Sequence, residues 1–376
     1  MPSELSPPCL ALRSDLGRST STVLLSVPEK KVVATAADVD DVIAPALANK
    51  TVLPTARGYV LARDPASLAT FLYSPQSRLK IDLPPLAINQ DLLWHGAHYH
   101  SIYEILEKFH SIKQNTLSVT AYTDKFEEIM AIVRAEHPYL QEHYYVVSFV
   151  NGLKPSISCV VLLVEPNTTF IWHLRLAGDQ TQWQRHEYDT GSQVYDDDED
   201  DEKHAAWVGK TVIRQICACR GKFYFNLPST ELGVVDFSAG RPAFGSIPAG
   251  CHDEGEYAVV GTVFLVESEG ELYMVKLLMD EANLNKYTGL SVYVMDFQRT
   301  WWRRVGDLGG RTFVMAPVYV GASCEAGRLR GDCVYVVCPM SRELQVFDVK
   351  AGSIETQRLD EAPFSNKAFW VLPTSC

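Results

Sequence analysis

Apolar and polar positions along this chain alternate in short blocks. Runs of four to eight apolar and β-branched residues recur, and turn-forming Gly, Pro, Asp and Ser separate them. This pattern predicts many short strands, which is typical of an all-β sandwich, barrel or propeller. The clearest predicted strands cover residues 22–27, 59–62, 71–73, 159–164, 222–226, 259–266, 271–277, 291–297, 333–338 and 344–349.

A repeat favours the propeller among these three folds. Three segments share an apolar strand that ends in Asp, an aromatic or β-branched residue, a turn and a second strand. Their aspartates, Asp236, Asp296 and Asp348, lie 60 and 52 residues apart, close to the blade period of roughly 40–50 residues once loop insertions are allowed. We expect each carboxylate to bond the backbone two residues on, which would fix the turn between strands three and four of a blade.

Looser copies of this plan cover residues 71–80 and 172–183, and a further unit covers residues 23–33. Together with the three clear copies they predict a mainly β fold, a β-propeller of about six blades. The last predicted strand, residues 368–372, is expected to pair with the N-terminal strands. That pairing would close the ring and remove its exposed sheet edges.

One stretch breaks the β pattern, because from about residue 88 to residue 157 the apolar periodicity becomes helical. We therefore predict three domains: residues 1–87 as the N-terminal part of the propeller, 88–157 as an inserted α-helical segment, and 158–376 as the remainder. The first predicted helix has an apolar face made by Ile102, Ile105, Leu106, Phe109 and Ile112. The second begins at an N-cap, Ser118. The third begins at Pro138, has Leu140, Tyr144 and Val147 inward, and ends before Gly152 and Pro155.

Charge and composition exclude several classes of protein. The formal net charge is -12, which disfavours nucleic-acid binding because phosphate neutralisation needs clustered Lys and Arg. Seven consecutive acidic residues, 196–202, are most simply a solvated loop between blades. The first residues lack the features of a signal peptide, and no apolar run is long enough to span a bilayer. The nine cysteines are scattered, which suits a reducing compartment such as the cytoplasm or nucleus. We expect a monomer there, with no membrane contact.

Several segments outside the helical stretch resemble one plant family. They read TARGYVL at 55–61, LYSP at 72–75, IDLPPL at 81–86, SCVVL at 158–162, CVYV at 333–336, VFDV at 346–349 and FWVLP at 369–373. In this order they resemble the domain-of-unknown-function 295 family of F-box-associated, KIB-type β-propellers, over roughly residues 9–87 and 158–376. The resemblance implies a propeller with a role in plant regulation beside kinases or ubiquitin ligases. Only eight residues precede Cys9, so we expect no F-box here.

The helical stretch resembles a different family from the rest of the chain. It reads FHSIKQ at 109–114, SVTAY at 118–122, KFE at 125–127 and SFVNGLKP at 148–155. These segments resemble the helical gag (capsid-type) region of plant long-terminal-repeat retrotransposons. No zinc knuckle, protease or polymerase follows, so the resemblance implies a fragment acquired by insertion.

The strongest surface candidate is Trp301-Trp302-Arg303-Arg304. In a strand, successive side chains point to opposite faces, so one tryptophan is expected inside and one outside. Trp and Arg are enriched at binding hot spots, which makes Trp301, Trp302 and Arg303 a candidate protein-binding surface. Packing of these aromatic rings between blades is the more frequent alternative.

No other residues predict chemistry, and we expect no catalytic, cofactor-binding or metal-binding residues. Gly209-Lys210-Thr211 resembles the end of a phosphate-binding loop, but His204 stands where the loop needs its first glycine. Cys217 and Cys219 lack a second ligand pair, so core packing is favoured over zinc. The histidines at 95, 98, 100 and 110 with Glu104 lack a metalloprotease pattern and are expected to form a solvated face.

Three functions remain open from the sequence. The first is a non-catalytic protein-interaction propeller of unknown specific role, which binds protein partners through its loops. The second is an insertion-damaged gene product without stable function. The third is a propeller enzyme acting on glycans, which would need clustered carboxylates or metal ligands that the sequence does not display at recognisable spacing.

Overall fold

The fold was obtained as a computed structural model. It describes residues 8–14, 21–29, 31–34, 47, 50–54, 59–64, 66–75, 78–86, 146–150, 160–165, 168–175, 182–195, 207–213, 215–227, 230–251, 259–280, 283–316, 320–327, 329–338, 342–360 and 367–372. Every regular element in these residues is a β-strand.

The strands are short and follow one another closely along the chain, as the alternating blocks of the sequence predict. The first half has β1 (Cys9–Ser14), β2 (Ser21–Ser26), β3 (Lys31–Ala34), β4 (Thr51–Pro54), β5 (Val60–Arg63), β6 (Thr70–Tyr73), β7 (Lys80–Leu83), β8 (Val146–Val150), β9 (Val160–Val164), β10 (Phe170–Arg175), β11 (Gln184–Glu187), β12 (Ser192–Tyr195), β13 (Trp207–Lys210) and β14 (Ile216–Cys219). The second half has β15 (Lys222–Asn226), β16 (Glu231–Asp236), β17 (Ala243–Pro248), β18 (Gly250–Cys251), β19 (Val259–Ser268), β20 (Glu271–Asp280), β21 (Asn283–Asp296), β22 (Trp301–Arg304), β23 (Arg311–Ala316), β24 (Val320–Glu325), β25 (Cys333–Cys338), β26 (Glu343–Asp348), β27 (Ser353–Arg358) and β28 (Lys367–Val371).

Six sheets of four or five strands form the body of the described structure, and we call them blades one to six in chain order. Their strand orders are β28-β1-β2-β3, β4-β5-β6-β7, β8-β9-β10-β11, β14-β15-β16-β17, β19-β20-β21-β22-β18 and β24-β23-β25-β26-β27. Strands from different blades meet at the first strands, since β14 contacts both β8 and β19, and β19 contacts β24. Blades three to six therefore converge at these first strands.

Each blade is buried on both of its faces, which explains the continuous apolar runs of the sequence. In β1, Leu10 and Leu12 pack against blade six, whereas Cys9 and Ala11 pack against blade two. The same alternation makes a separate core between blades two and three, three and four, four and five, and five and six. Because every blade shares a core with both of its neighbours, the six blades form a closed ring, a β-propeller.

The ring is closed by strands from the two ends of the chain, as the sequence predicts. β28 pairs antiparallel with β1, with Leu10 opposite Trp370. The Trp370 indole donates a hydrogen bond to the Met315 carbonyl of blade six at 3.0 Å. The closing strand therefore belongs to blade one and is also bonded to blade six.

All six predicted units overlap hairpins in the outer half of a blade, which join the third and fourth strands in blades one to five and the fourth and fifth strands in blade six. These hairpins are β2–β3, β6–β7, β10–β11, β16–β17, β21–β22 and β26–β27. The turn chemistry also agrees, because Asp236 accepts a hydrogen bond from the Ser238 amide at 2.8 Å and Asp296 from the Gln298 amide at 3.0 Å. Asp348 differs slightly and bonds the amide three residues on, that of Ala351, at 2.8 Å.

The third predicted helix is wrong over its second half. Residues Val146–Val150 form β8, which pairs antiparallel with β9, with Val147 opposite Leu163. The physical reason is that this segment is rich in valine, and pairing gives the fully buried strand β9 a hydrogen-bonded neighbour on that edge. Residues 88–145 and 151–157, where the rest of the predicted insertion falls, lie outside the described residues. The domain boundaries at 87 and 157 stay predictions.

A two-stranded sheet stands between blades three and four in the chain. It is made by β12 and β13, with Val194 opposite Val208. The acidic run, residues 196–202, joins these two strands and lies outside the described residues. The solvated loop predicted for residues 196–202 stays a prediction.

Candidate functional site

The three residues of the predicted binding surface occupy β22, the fourth strand of blade five. Their side chains alternate: Trp302 is 5% exposed and packs in the core shared with blade four. Trp301 is half-buried, and Arg303 is exposed. Arg304, next in the strand, is exposed as well. One tryptophan therefore points inward as predicted, and Trp301 and Arg303 are left at the rim.

Trp301 is covered on one side by the backbone that leaves blade four. β18 runs parallel to β22, with Gly250 opposite Trp301, and the Gly250 amide donates a hydrogen bond to the Thr300 carbonyl at 3.2 Å. A β-carbon at position 250 would lie 2.2 Å from the indole ring. Only glycine lets the chain cross here, and the crossing fixes Trp301 in place.

The turn before β22 presents further side chains beside Trp301. Asp296 accepts hydrogen bonds from the amides of Gln298 and Arg299, both at 3.0 Å. These bonds, chiefly that from Arg299, lower the pKa of the Asp296 carboxyl. The fixed turn places Phe297 and Arg299 at the surface next to β22, with Arg299 exposed.

Blade four contributes an arginine to the same surface. Arg220 lies in the two-residue turn between β14 and β15 and is exposed. Its guanidinium carbon lies 5.0 Å from the centre of the Phe297 ring, and its Nε donates a hydrogen bond to the Gly270 carbonyl at 2.7 Å. It also forms an ion pair with Glu271. Phe297 in turn packs against Tyr224, with ring centres 5.2 Å apart, so the contact joins blades four and five.

We call these residues on and around β22 the fifth-blade patch: Arg220, Phe297, Arg299, Trp301, Arg303 and Arg304, with Trp301 and Arg303 on one face of the strand and Arg304 on the other. Glu271 forms an ion pair with Arg220, and Asp296 forms one with Arg299. Four of the six residues of the patch are arginines, on a chain whose net charge is -12. Arginine and large aromatic side chains together are the composition of binding hot spots.

The sequence singled out Trp301 and Arg303 as candidates, whereas Arg220 and Phe297 join the patch only through the structure. A signal for Arg220 exists, because Arg220-Gly221 separates two apolar strands as a two-residue hairpin turn does. Both residues have positive φ, 49° and 78°, as such a turn requires. No signal in the sequence pairs this turn with Phe297, which follows β21, the third strand of the next blade.

The other sequence candidates are structural where they are described. Cys217 and Cys219 are buried in the core between blades four and five. Gly209 and Lys210 end strand β13, and the Thr211 amide donates to the Gly191 carbonyl at 2.9 Å, so this segment extends a hairpin and opens no helix. The histidines at 95, 98, 100 and 110 with Glu104 lie outside the described residues. Within the described ranges, no three His, Cys, Asp or Glu side chains are grouped closely enough to hold a metal ion.

A histidine pair that the sequence did not single out is buried between blades three and four. His173 is fully buried, and its ring stacks on His186 with centres 4.9 Å apart. Neither ring nitrogen of His173 has a hydrogen-bond partner among the described residues. Burial, with His186 and Arg175 adding repulsion, lowers the pKa of His173 to about 4. The pair is therefore neutral at physiological pH and acts as a packing element.

Blades that share cores all the way round, together with a closing strand from the C-terminal end, define the class of this protein as a six-bladed β-propeller. A family model described as the KIB1-4 beta-propeller matches residues 24–356. The chain belongs to that family. This confirms the KIB-type resemblance, whereas the domain-of-unknown-function 295 assignment and the gag-like origin of the helical stretch stay predictions.

Solved structures give only distant likenesses. Apo AztD from Citrobacter koseri is 8% identical, with 97% of this chain and 99% of that chain covered at a TM-score of 0.34. The β-propeller domain of Cps50 (Swd1) from Myceliophteria thermophila is 8% identical, with 93% and 99% covered at a TM-score of 0.28. Likeness at this level supports no inference about this chain. None of the curated proteins matches it significantly.

In the part of the chain that the structure describes, no helix has the length and apolar character needed to cross a membrane.

Proposed function

We propose that this chain is a non-catalytic protein-interaction propeller that binds an acidic segment of a partner protein through the fifth-blade patch. The observation that carries the proposal is that β22 and the turn before it expose Arg299, Arg303 and Arg304, with the half-buried ring of Trp301 on the same strand face as Arg303. Arginine guanidinium groups bond carboxylates in a bidentate manner, and an adjacent aromatic face adds apolar contact area.

Rigidity of the patch supports this role. Trp301 is held by the crossing of β18, and the turn that carries Arg299 is held by Asp296. A surface ordered before binding loses less conformational entropy when a partner docks. The local excess of arginine on an acidic chain also favours acidic partners over basic ones, and it predicts binding that weakens as salt increases.

Affinity purification of the tagged chain from plant cells, with quantitative mass spectrometry, tests the proposal. The informative variant is Arg303→Glu, and the matched control is Arg358→Glu, an exposed arginine on the last strand of blade six. We expect a stoichiometric partner that the wild type and R358E retain and that R303E loses. The double variant R299E/R303E should lose it completely.

Two results would contradict the proposal. One is a partner that R303E and R299E/R303E retain at the wild-type level, which would move binding to another surface. The other is recovery of chaperones and proteasome subunits alone, which would favour an insertion-damaged gene product. Circular dichroism of each variant confirms that the β-rich fold is kept, so that lost binding is not lost folding.

The wider setting is part of the same proposal. We propose a monomer in the cytoplasm or nucleus, with protein partners and without nucleic-acid or membrane binding. The net charge of -12 supports the absence of nucleic acid. Light scattering of the purified chain tests the oligomeric state, and a dimer mass would overturn that part.

A further inference from the structure

Cys251 and Lys276 meet at the outer part of blade five. Cys251 lies on β18, and its Sγ atom is 3.9 Å from the Nζ atom of Lys276 on β20. The lysine side chain reaches the thiol across the ring of Tyr293, with Nζ 5.0 Å from the ring centre. The Cys251 thiol and the Lys276 amine are therefore in contact, although two strands lie between β18 and β20, because the lysine side chain is long and flexible.

Cys251 differs from the other thiols whose exposure the structure describes. Cys9, Cys217, Cys219, Cys324 and Cys333 are buried in cores between blades, whereas Cys251 is half-buried. Burial raises the pKa of the Cys324 thiol to about 11, which makes that thiol a poor nucleophile. Access from solvent and a cationic neighbour are the features typical of oxidation-sensitive cysteines.

A buried hydroxyl lies on the same face of the blade as Lys276. Ser291 is directly opposite Lys276 in the β20–β21 ladder, so the two side chains share that face. Ser291 is 3% exposed, and its Oγ has no hydrogen-bond partner among the described residues. The face that carries the lysine therefore also holds a buried hydroxyl whose hydrogen-bonding capacity is unused among the described residues.

From this arrangement we propose that Cys251 and Lys276 form a reversible covalent cross-link when the protein meets a peroxide. The Cys251 sulfur attacks the peroxide, the O–O bond breaks, and the products are a sulfenic acid and one water. The neutral Lys276 amine, having released its proton to solvent, then attacks the sulfur. An S–N bond forms, the S–O bond breaks and a second water leaves, giving a sulfenamide. Sulfur loses two electrons overall and the peroxide gains them.

The cross-link would tie β18 to β20 across two intervening strands of blade five. β18 pairs with β22 through Gly250 and Cys251. The S–N bond would therefore fix the chain segment that leaves blade four onto blade five, and thiol reductants would release it. This redox chemistry is independent of whether the fifth-blade patch binds a partner.

The test uses the purified full-length chain treated with hydrogen peroxide, digested without reductant and mapped by mass spectrometry. We expect a linked pair of peptides containing Cys251 and Lys276 whose mass is lower than the sum of the two by two hydrogen atoms. Dithiothreitol should release it. Cys324 in the same sample is the internal control and should stay unmodified.

Two variants separate the steps. Cys251→Ser should abolish the linked pair. Lys276→Arg keeps the positive charge but lacks a primary amine, so its Cys251 should stop at the sulfenic acid and become labelled by dimedone, while wild-type Cys251 gives mainly the linked pair. The proposal is overturned if wild-type Cys251 is labelled by dimedone as strongly as in K276R, or if peroxide leaves Cys251 as a free thiol.

Discussion

Asp332 joins three separate loops of blade six. It is buried, and its Oδ1 accepts hydrogen bonds from the amides of Leu308 at 2.7 Å and Gly310 at 2.9 Å. Its Oδ2 forms an ion pair with Lys350 at 2.8 Å. The ion pair with Lys350, followed by the bond from the Gly310 amide, lowers the pKa of this carboxyl. Asp332 also has a positive φ of 56°, which Asp and Asn tolerate better than most residues.

We expect Asp332→Ala to lower the free energy of unfolding by about 1–3 kcal/mol, because the buried amide of Leu308 and the amide of Gly310 lose their acceptor. Asp332→Asn should cost less than about 1 kcal/mol, because it keeps an oxygen for the amides and tolerates the positive φ, and the lost ion pair involves a largely exposed lysine. Urea denaturation of both variants measures this. Equal losses would show that the pair with Lys350 carries the stabilisation.

The His173–His186 pair predicts a dependence of stability on pH. The groups that face it are Arg175 on the same strand, Arg241 in the turn after β16, and Phe237. The pKa of His173 is lowered to about 4 from its usual 6.5, so between these values the unfolded chain binds more protons. His173 therefore gives its full stability above pH 6.5, and that stability is lost as pH falls towards 4.

For the wild type we expect the melting temperature to fall between pH 7 and pH 4.5, with a contribution from His173 of about 1 kcal/mol per pH unit at the steepest point. His173→Phe removes the titrating group and keeps an aromatic ring between His186 and Phe237. This variant should show a shallower fall over the same range. Parallel pH profiles for the two proteins would contradict the buried neutral state of His173.

At the scale of the element, glycine positions test how tightly the strands of blade four pack. Gly233 on β16 lies opposite Phe225 on β15, and a β-carbon there would be 2.2 Å from the ring. Phe225 is itself 1% exposed, so its ring has little room to move. Gly245 on the next strand has no heavy atom within 4 Å of the same position.

The expected result is that Gly233→Ala lowers the free energy of unfolding by about 1–3 kcal/mol, the usual range for overpacking. Gly245→Ala should change it by less than about 0.5 kcal/mol, as at most exposed sites. Thermal and urea unfolding of G233A and G245A compare the free energies of unfolding of two variants in the same sheet. If G233A is as stable as G245A, the ring over Gly233 is free to turn aside.

Strands and turns were predictable from the sequence where they depend on interactions between residues close together in the chain. Strands buried on both faces leave continuous apolar runs, and Asp236, Asp296 and Asp348 set turns through bonds to amides within three residues. β8 was not predictable, because its apolar positions fit a helix as well as a strand and only pairing with β9 decides between them. The fifth-blade patch was half predictable: the alternation of Trp301 and Trp302 is local, whereas the stacking of Arg220 on Phe297 depends on how two blades meet.

At the scale of the whole molecule, stability depends on the strand that closes the ring. Removing β28 would expose the edge of β1 and take Trp370 and Ala368 out of the core shared with blade six. It would also remove the hydrogen bond from Trp370 to Met315. It would also take Val371 out of the core shared by blades one and two. The other four cores would remain, but the ring would be open.

Deletion of residues 367–376 should abolish cooperative unfolding or lower the melting temperature by more than about 10 °C, because a buried aromatic residue alone is worth about 3–5 kcal/mol. Deletion of residues 373–376, beyond the paired strand, is the control and should leave the melting temperature unchanged. Differential scanning calorimetry with light scattering distinguishes an open ring from an aggregated one. Trp370→Phe, which keeps the strand, should give an intermediate loss.

The register of the closing pair has a consequence for how the chain could be rearranged. Cys9 lies directly opposite Val371, so the start of the first strand and the end of the last strand are neighbours in one ladder. A short linker could join them, and the polypeptide could be reopened in the connection between β12 and β13. Such a circular permutant would keep every blade-to-blade core, because the ring depends on which strands are adjacent and not on where synthesis begins.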